Sequence, residues 1–312
     1  MFAPPADHRL SLPSPPPPAM AAVPPSDAPT SSAHATSAPG TVGLRVRPVA
    51  SLAEYRACVA LQEEVWGADF ESVPASMLQV ATYVGGLCLG AFSPEGELYG
   101  FVFGLAGTED GRPVHWSHLL GVREAARNLG VGRLLKEHQR QLLASRGVPT
   151  MCWTFDPLIA KNAHLNLDIL GARIVRYVTD MYGDTGSPLH HGLATDRLVV
   201  VWDTAPSIRT ARARFDVAGL PVLTARPQRG DDVPHPSLTP PRLLLEVPFD
   251  FPQLLARSPV DAAEWHAATR DHFLWALERG YQAVGLHVDA VTSRSFYVLE
   301  RTGVVPPVAP AA

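Results

Sequence analysis

The chain has 312 residues, 46% apolar and 18% charged, enough to fill a sizeable core, and 26 Lys and Arg against 30 Asp and Glu leave a net charge of −4. That balance provides no bulk positive field to hold a nucleic-acid backbone, and three scattered cysteines, Cys58, Cys88 and Cys152, do not make a disulfide framework or a four-ligand zinc site. No apolar run approaches the roughly 20 residues a membrane helix needs, and the N-terminus lacks a basic region followed by an apolar one, so the expectation is a cytoplasmic protein with no nucleic-acid, membrane or metal partner.

Eleven of the 31 prolines fall in the first 40 residues, so residues 1–42 are expected to be a disordered Pro/Ala/Ser-rich tail. From there strands and helices alternate. Residues 43–49 read as a half-buried strand, and Ser51-Leu52-Ala53-Glu54 is a capping box that opens a helix running to Trp66. A second helix occupies 74–83, and Gly85-Gly86 ends it. Strands at 87–93 and 97–105 flank the turn Pro94-Glu95-Gly96. A strand at 115–122, a helix at 130–146, a strand at 150–155, a helix at 158–170 and strands at 173–182 and 196–203 complete a unit spanning 43–203. Hairpins on either side of two strand–helix units imply a mixed α/β fold with a mixed sheet. Residues 204–241 are rich in proline and read as a linker. A βαββ unit at 242–303 follows, its helix capped by Ser258-Pro259, with a tail at 304–312. The unit has no chemical motif, but Trp265, Phe273, Trp275 and Leu277 are too apolar for a free surface and must pack on the preceding unit or on a second copy, as in a homodimer.

The most informative segment is the strand ending Leu119-Leu120-Gly121-Val122, which runs through Arg127-Asn128-Leu129-Gly130-Val131-Gly132-Arg133 into an amphipathic helix. Gly130 and Gly132 let backbone come close to a ligand, the first helical N–H groups point at an anion, and Arg127 and Arg133 add charge. The loop lacks the third glycine and distal acid of a dinucleotide site and the Gly-Lys-Ser/Thr of a P-loop. His118 lies four residues before Val122 on the same strand, and a neutral imidazole could take a proton from an amine. By strand alternation Trp116 and Leu120 share its face. His115 is expected at the surface, and His190-His191, in a glycine-rich loop, are expected to be solvated.

The Arg-x-x-Gly-x-Gly loop, with Trp153-Thr154-Phe155-Asp156-Pro157, Asn162-Ala163-His164-Leu165-Asn166 and Leu170-Gly171-Ala172, resembles motifs A and B of the GNAT acyltransferase superfamily over residues 43–203. The resemblance implies a GNAT-like mixed sheet flanked by helices and, as co-substrate, acetyl-CoA or another acyl-CoA. It implies that Arg127, Asn128, Leu129, Gly130, Val131, Gly132 and Arg133 hold the pyrophosphate, that Leu120 and Val122 pair with pantetheine, and that Asn162 assists. His118 matches the position of a basic histidine in arylalkylamine N-acetyltransferases. The tyrosine that many GNAT enzymes use to protonate the coenzyme A sulfur is replaced by Leu167, with Tyr177 and Tyr182 as substitutes. Trp116, Asp156 and Arg197 would line the acceptor site. Tyr182-Gly183 and Gly192-Leu193-Ala194-Thr195-Asp196-Arg197 further resemble a bacterial GNAT group, some relatives of which are associated with N-succinylamino-acid racemases, implying acetyl or succinyl transfer to a small amine or amino acid. Two readings remain: an N-acyltransferase, and a non-catalytic coenzyme-A-binding module serving protein interaction, which Leu167 favours.

Overall fold

The computed structural model describes residues 43–68, 70–183, 192–205, 215–224, 240–303 and 308–310, so the expected tail and His190-His191 lie outside the described residues. The chain opens with β1 (Arg45–Pro48) and α1 (Leu52–Trp66), whose first turn is capped by Ser51 Oγ accepting from the Glu54 amide at 3.2 Å. Glu54 reaches one residue further back than a standard capping box, to the Ala50 N–H at 2.8 Å, and both of its oxygens pair with Arg47. Next come α2 (Ala75–Tyr83), β2 (Leu87–Phe92), β3 (Leu98–Glu109) and β4 (Arg112–Val122). The last two are longer than their sequence suggested. Asp110 and Gly111 both take left-handed φ, 49° and 74°, and close a two-residue hairpin between Glu109 and Arg112.

The chain continues through α3 (Val131–Ser145), β5 (Thr150–Phe155), α4 (Ala160–Ala163), β6 (Arg173–Thr179) and β7 (Arg197–Asp203). The helix expected at 158–170 starts late, because the Asp156 carboxylate accepts the Leu158 N–H at 2.8 Å and holds the chain in a turn. It then changes after α4 into a π-helical turn, His164–Ile169. The remaining elements are β8 (Val222–Leu223), β9 (Arg242–Val247), α5 (Phe251–Arg257), α6 (Pro259–Glu278), β10 (Tyr281–Asp289), β11 (Arg294–Arg301) and β12 (Val308–Pro310).

An eight-stranded sheet has the order β1-β2-β3-β4-β5-β7-β6-β12, and a four-stranded sheet the order β10-β11-β9-β8. In the large sheet β4 and β5 run parallel, as do β6 and β12, while the other neighbours are antiparallel. This is the mixed sheet flanked by helices that the order of elements implied. Parallel neighbours cannot be joined by a tight hairpin and need a crossover, which α3 supplies between β4 and β5.

The two sheets share a core. One cluster of buried side chains runs from Met151, Trp153, Tyr177 and Val200 on the large sheet to Leu245, Phe273, Tyr297 and Leu299. Tyr297 is fully buried, and its hydroxyl donates to the Pro157 carbonyl at 2.8 Å. Asp196, 3% exposed at the entrance to β7, accepts from Arg270 Nε of α6 and from the Tyr177 hydroxyl, each at 2.7 Å. Burial alone would raise its pKa, but these donors hold its carboxyl below the ordinary range. The span 204–241, read as a linker on its prolines, is packed where it is described. Phe215 rests on the Leu244, Phe296 and Val298 cluster, and Leu223 is 2% exposed in β8. Separate clusters cover the two faces of β2–β4: Phe101, Phe103 and Leu119 beneath α1 and α2, and Leu89 and Val102 against Leu135 of α3.

Candidate active site

The parallel strands β4 and β5 are paired at three positions only, Val114 with Thr150, His115 with Met151 and Trp116 with Cys152. Past this point they part, leaving β4 from Ser117 to Val122 without a ladder partner on its β5 side. The cause lies in the neighbouring ladder. Between the pairs Gly104–Ser117 and Phe103–Leu119 the register slips, so His118 has no partner on β3 and forms a β-bulge that bends β4 away from β5.

The bulge also corrects the face assignment made from alternation. Trp116 pairs with Leu105 and Leu119 with Phe103, on the α1–α2 side, and the His118 ring meets Phe103 edge-on at 6.3 Å. Leu120 pairs with Val102 on the α3 side and, with Val122, packs toward α3. Trp116 and His118 therefore look one way and Leu120 and Val122 the other, since one extra residue inverts the alternation. His118 keeps solvent contact, and burial of the rest of the ring lowers its pKa from the ordinary imidazole value.

At the open end of the gap a short 3-10 turn, Glu124–Ala126, leads to Asn128 and Gly130, both left-handed at φ 63° and 82°. Gly130 is the N-cap of α3, and no side chain caps that end, so its first N–H groups are directed outward. Arg127 and Arg133 are exposed on either side. At Gly132 a Cβ would lie 3.6 Å from Leu120 Cδ2, an ordinary contact, so the glycine is not required by the packing of the protein itself.

The opposite wall comes from β5 and from the turns beyond β5 and β6. Tyr182 lies beyond the end of β6 in a turn, is 41% exposed, and its hydroxyl is 3.1 Å from Thr154 Oγ1. Arg197 stacks over the Tyr182 ring at 5.4 Å and pairs with Asp156 at 3.5 Å. These three sequence-derived residues are thus brought together with Thr154. Asn162 is exposed on α4, whereas Asn166 is buried and accepts from Trp153 Nε1 at 3.0 Å. Tyr177 is excluded as a substitute acid, because it is fully buried and its hydroxyl is committed to Asp196. Leu167 is buried in the shared core.

Sequence reasoning missed a polar cluster beneath the point where the strands part. Lys136 Nζ donates to Ser117 Oγ at 2.8 Å, Ser117 Oγ donates to Gln139 Oε1 at 2.8 Å, and the Gln139 amide donates to His115 Nε2 at 3.0 Å. All four side chains are buried. His115, expected at the surface, faces α3, and burial, with the charges of Lys136 and Arg146, lowers its pKa to about 4. Burial lowers that of Lys136 to about 7 and raises that of Cys152 to about 11. The signal was present in the sequence: Gln139 sits four residues from both Leu135 and Leu143, within the buried stripe of α3. Among the described residues no group of three or more His, Cys, Asp or Glu could hold a metal ion, and no helix is long and apolar enough to cross a membrane.

No family model and no curated protein matches the chain. Solved structures with partial similarity include the ribosomal-protein-S18-alanine N-acetyltransferase from Escherichia coli, at 17% identity and a TM-score of 0.40 over 53% of this chain and 96% of that one. Another is the GNAT family N-acetyltransferase YhbS from Escherichia coli in complex with CoA, at 19% identity and a TM-score of 0.37 over 52% of this chain and 82% of that one. A third is aminoglycoside 6'-acetyltransferase type Ii, at 17% identity and a TM-score of 0.41 over 52% and 99%.

Proposed function

We propose that the protein is an acyl-CoA-dependent N-acyltransferase that transfers an acetyl or succinyl group to a small amine or amino acid. The observation that carries this reading is the gap between β4 and β5, bounded at its closed end by the Trp116–Cys152 rung and at its open end by the uncapped start of α3. An extended amide-bearing ligand can pair with the free edge of β4 along Leu120 and Val122 as an added strand. A pyrophosphate at its far end meets the N–H groups around Asn128, Leu129, Gly130, Val131 and Gly132, with Arg127 and Arg133 adding charge. Asn162, exposed on α4, is available to the same ligand from the other side.

Transfer requires that the acceptor lose a proton and that charge developing on the thioester oxygen be met by a donor. His118, raised out of the ladder by the bulge, takes the proton on the α1–α2 side, directly or through water. Backbone N–H groups of β4 left without a β5 partner face the thioester oxygen. Trp116, Asp156, Arg197 and Tyr182 line the acceptor side, where the Arg197 guanidinium suits a carboxylate-bearing acceptor. Burial of Leu167 supports a second reading, a coenzyme-A-binding module without turnover. Release of free thiol from acetyl-CoA and succinyl-CoA across a panel of amines and amino acids separates the two. Amine-dependent release supports transfer, and coenzyme A binding without release from any pair overturns it.

A further inference from the structure

With Leu167 in the core, Tyr177 committed to Asp196 and Tyr182 set against Thr154 in the turn beyond β6, one cationic side chain borders the closed end of the gap from the α3 side. Lys136 projects from α3 between Ser117 and Trp153, the first residue of each strand past the last shared rung. Its Nζ lies 2.8 Å from Ser117 Oγ and 3.9 Å from the centroid of the Trp153 ring. Lys136 is 3% exposed, and none of the ion pairs among the described residues involves it. The groups facing it are His115 on β4, kept neutral by burial, and the Cys152 thiol on β5, kept protonated by burial. His118 lies on the other face of β4. A buried ammonium with no counter-ion among the described residues is unfavourable by several kcal/mol in general, so burial favours release of its proton, and a neighbouring thiolate would both accept that proton and offset the charge.

The direction of the hydrogen bonds narrows where that proton can go. Ser117 gives its proton to Gln139, and the Gln139 amide gives one to His115, so Ser117 can only accept from Lys136. An ammonium therefore spends one N–H on Ser117 and one on the face of Trp153, and has a third to offer to the gap. We propose that Lys136 is the acid that protonates the coenzyme A thiolate as it leaves, a role that rests on the acyltransferase reading above. The acceptor nitrogen forms its bond to the acyl carbon, and the carbon–sulfur bond breaks with its electron pair going to sulfur. The Lys136 ammonium gives one proton to that sulfur and becomes an amine. The proton lost by the acceptor goes to His118 or water, and Lys136 is reprotonated from solvent once the thiol has left. Burial makes the ammonium a stronger acid than an exposed lysine and so suits it to this transfer at neutral pH.

The test uses coenzyme A and desulfo-coenzyme A as probes on the full chain. Thiolate absorbance of bound coenzyme A is titrated against the desulfo complex as blank, and affinities are measured by calorimetry. The bound thiol is expected to titrate about one unit or more below the free thiol, as thiols beside a cation do. In Lys136→Met this depression is lost while desulfo-coenzyme A binds within about twofold of the unsubstituted protein, and kcat with acetyl-CoA falls by about tenfold or more. A bound thiol that titrates as free thiol in the unsubstituted protein overturns the proposal, whatever any variant does. An equal depression in Lys136→Met overturns it too. Failure of the unsubstituted protein to bind coenzyme A at all is a different result, and it removes the acyltransferase reading instead.

Discussion

His118 is the residue on which the proposed chemistry turns, and its position follows from a single unpaired residue in the β3–β4 ladder. His118→Ala is expected to lower kcat/KM by about 100-fold while leaving coenzyme A affinity unchanged, because the base acts on the acceptor and the donor is held elsewhere. The pH dependence has a definite sign. Burial lowers the imidazole pKa, so the group stays neutral to lower pH than an exposed histidine, and the acidic limb of kcat/KM lies below pH 6.5. In His118→Ala that limb flattens. A variant with the same limb and the same rate would place proton removal on another group.

Element by element, the sequence showed most of what periodicity and turn chemistry control. The order of strands and helices up to β7, the start of α1, the glycine loop before α3 and the α6 cap were all legible. What was not legible depends on pairing between distant segments. No local pattern reveals that β4 leaves β5 after Trp116, nor that His118 would be the extra residue that reverses the alternation between Trp116 and Leu120. Tyr177 and Tyr182 looked equivalent in sequence, yet one is locked to Asp196 in the core and the other lies in a turn against Thr154. Lys136 and Gln139 went unread because long polar side chains on a helix are usually solvated, and only the stripe they interrupt marks them as inward.

The loop before α3 allows a test at this same scale. Because a Cβ at Gly132 meets only ordinary contacts from Leu120 and Val122, Gly132→Ala should fold and gain a few tenths to about 1 kcal/mol from the better helix former. Its coenzyme A affinity should nevertheless fall, by about tenfold, if backbone at this position approaches a pyrophosphate. Denaturant titration and calorimetry on the same sample read the two effects separately. Unchanged affinity would move the phosphate site away from this turn.

For the whole molecule, the core common to the two sheets makes the C-terminal elements part of one cooperative structure. The Asp196–Arg270 pair is its polar clasp, joining the start of β7 to α6. Arg270→Met leaves a buried carboxylate with the Tyr177 hydroxyl and the Asp180 amide as hydrogen-bond donors and His266 Nε2 at 3.7 Å, without its guanidinium partner, and should cost about 2 kcal/mol or more of unfolding free energy at neutral pH. Asp196 is held charged in the folded protein, so the contribution of the pair is present above the ordinary aspartate pKa and disappears as pH falls through the lowered one. Urea unfolding at pH 7 and pH 3 measures this. A loss within 0.5 kcal/mol at pH 7, where surface substitutions usually fall, would mean that the remaining donors suffice.

Among the described residues the backbone pairing of β1–β4 with the rest of the large sheet is confined to three rungs, from Val114–Thr150 to Trp116–Cys152, and packing adds α3, whose Leu135 joins the N-terminal strands and whose Leu143 joins the shared core, and Leu87 of β2, which reaches the same core. The molecule is built like a book with α3 along the spine. Few backbone hydrogen bonds set the angle between its two boards, and a ligand lying along the opening would act as a bookmark stitched to both pages, adding its own contacts to those that fix that angle.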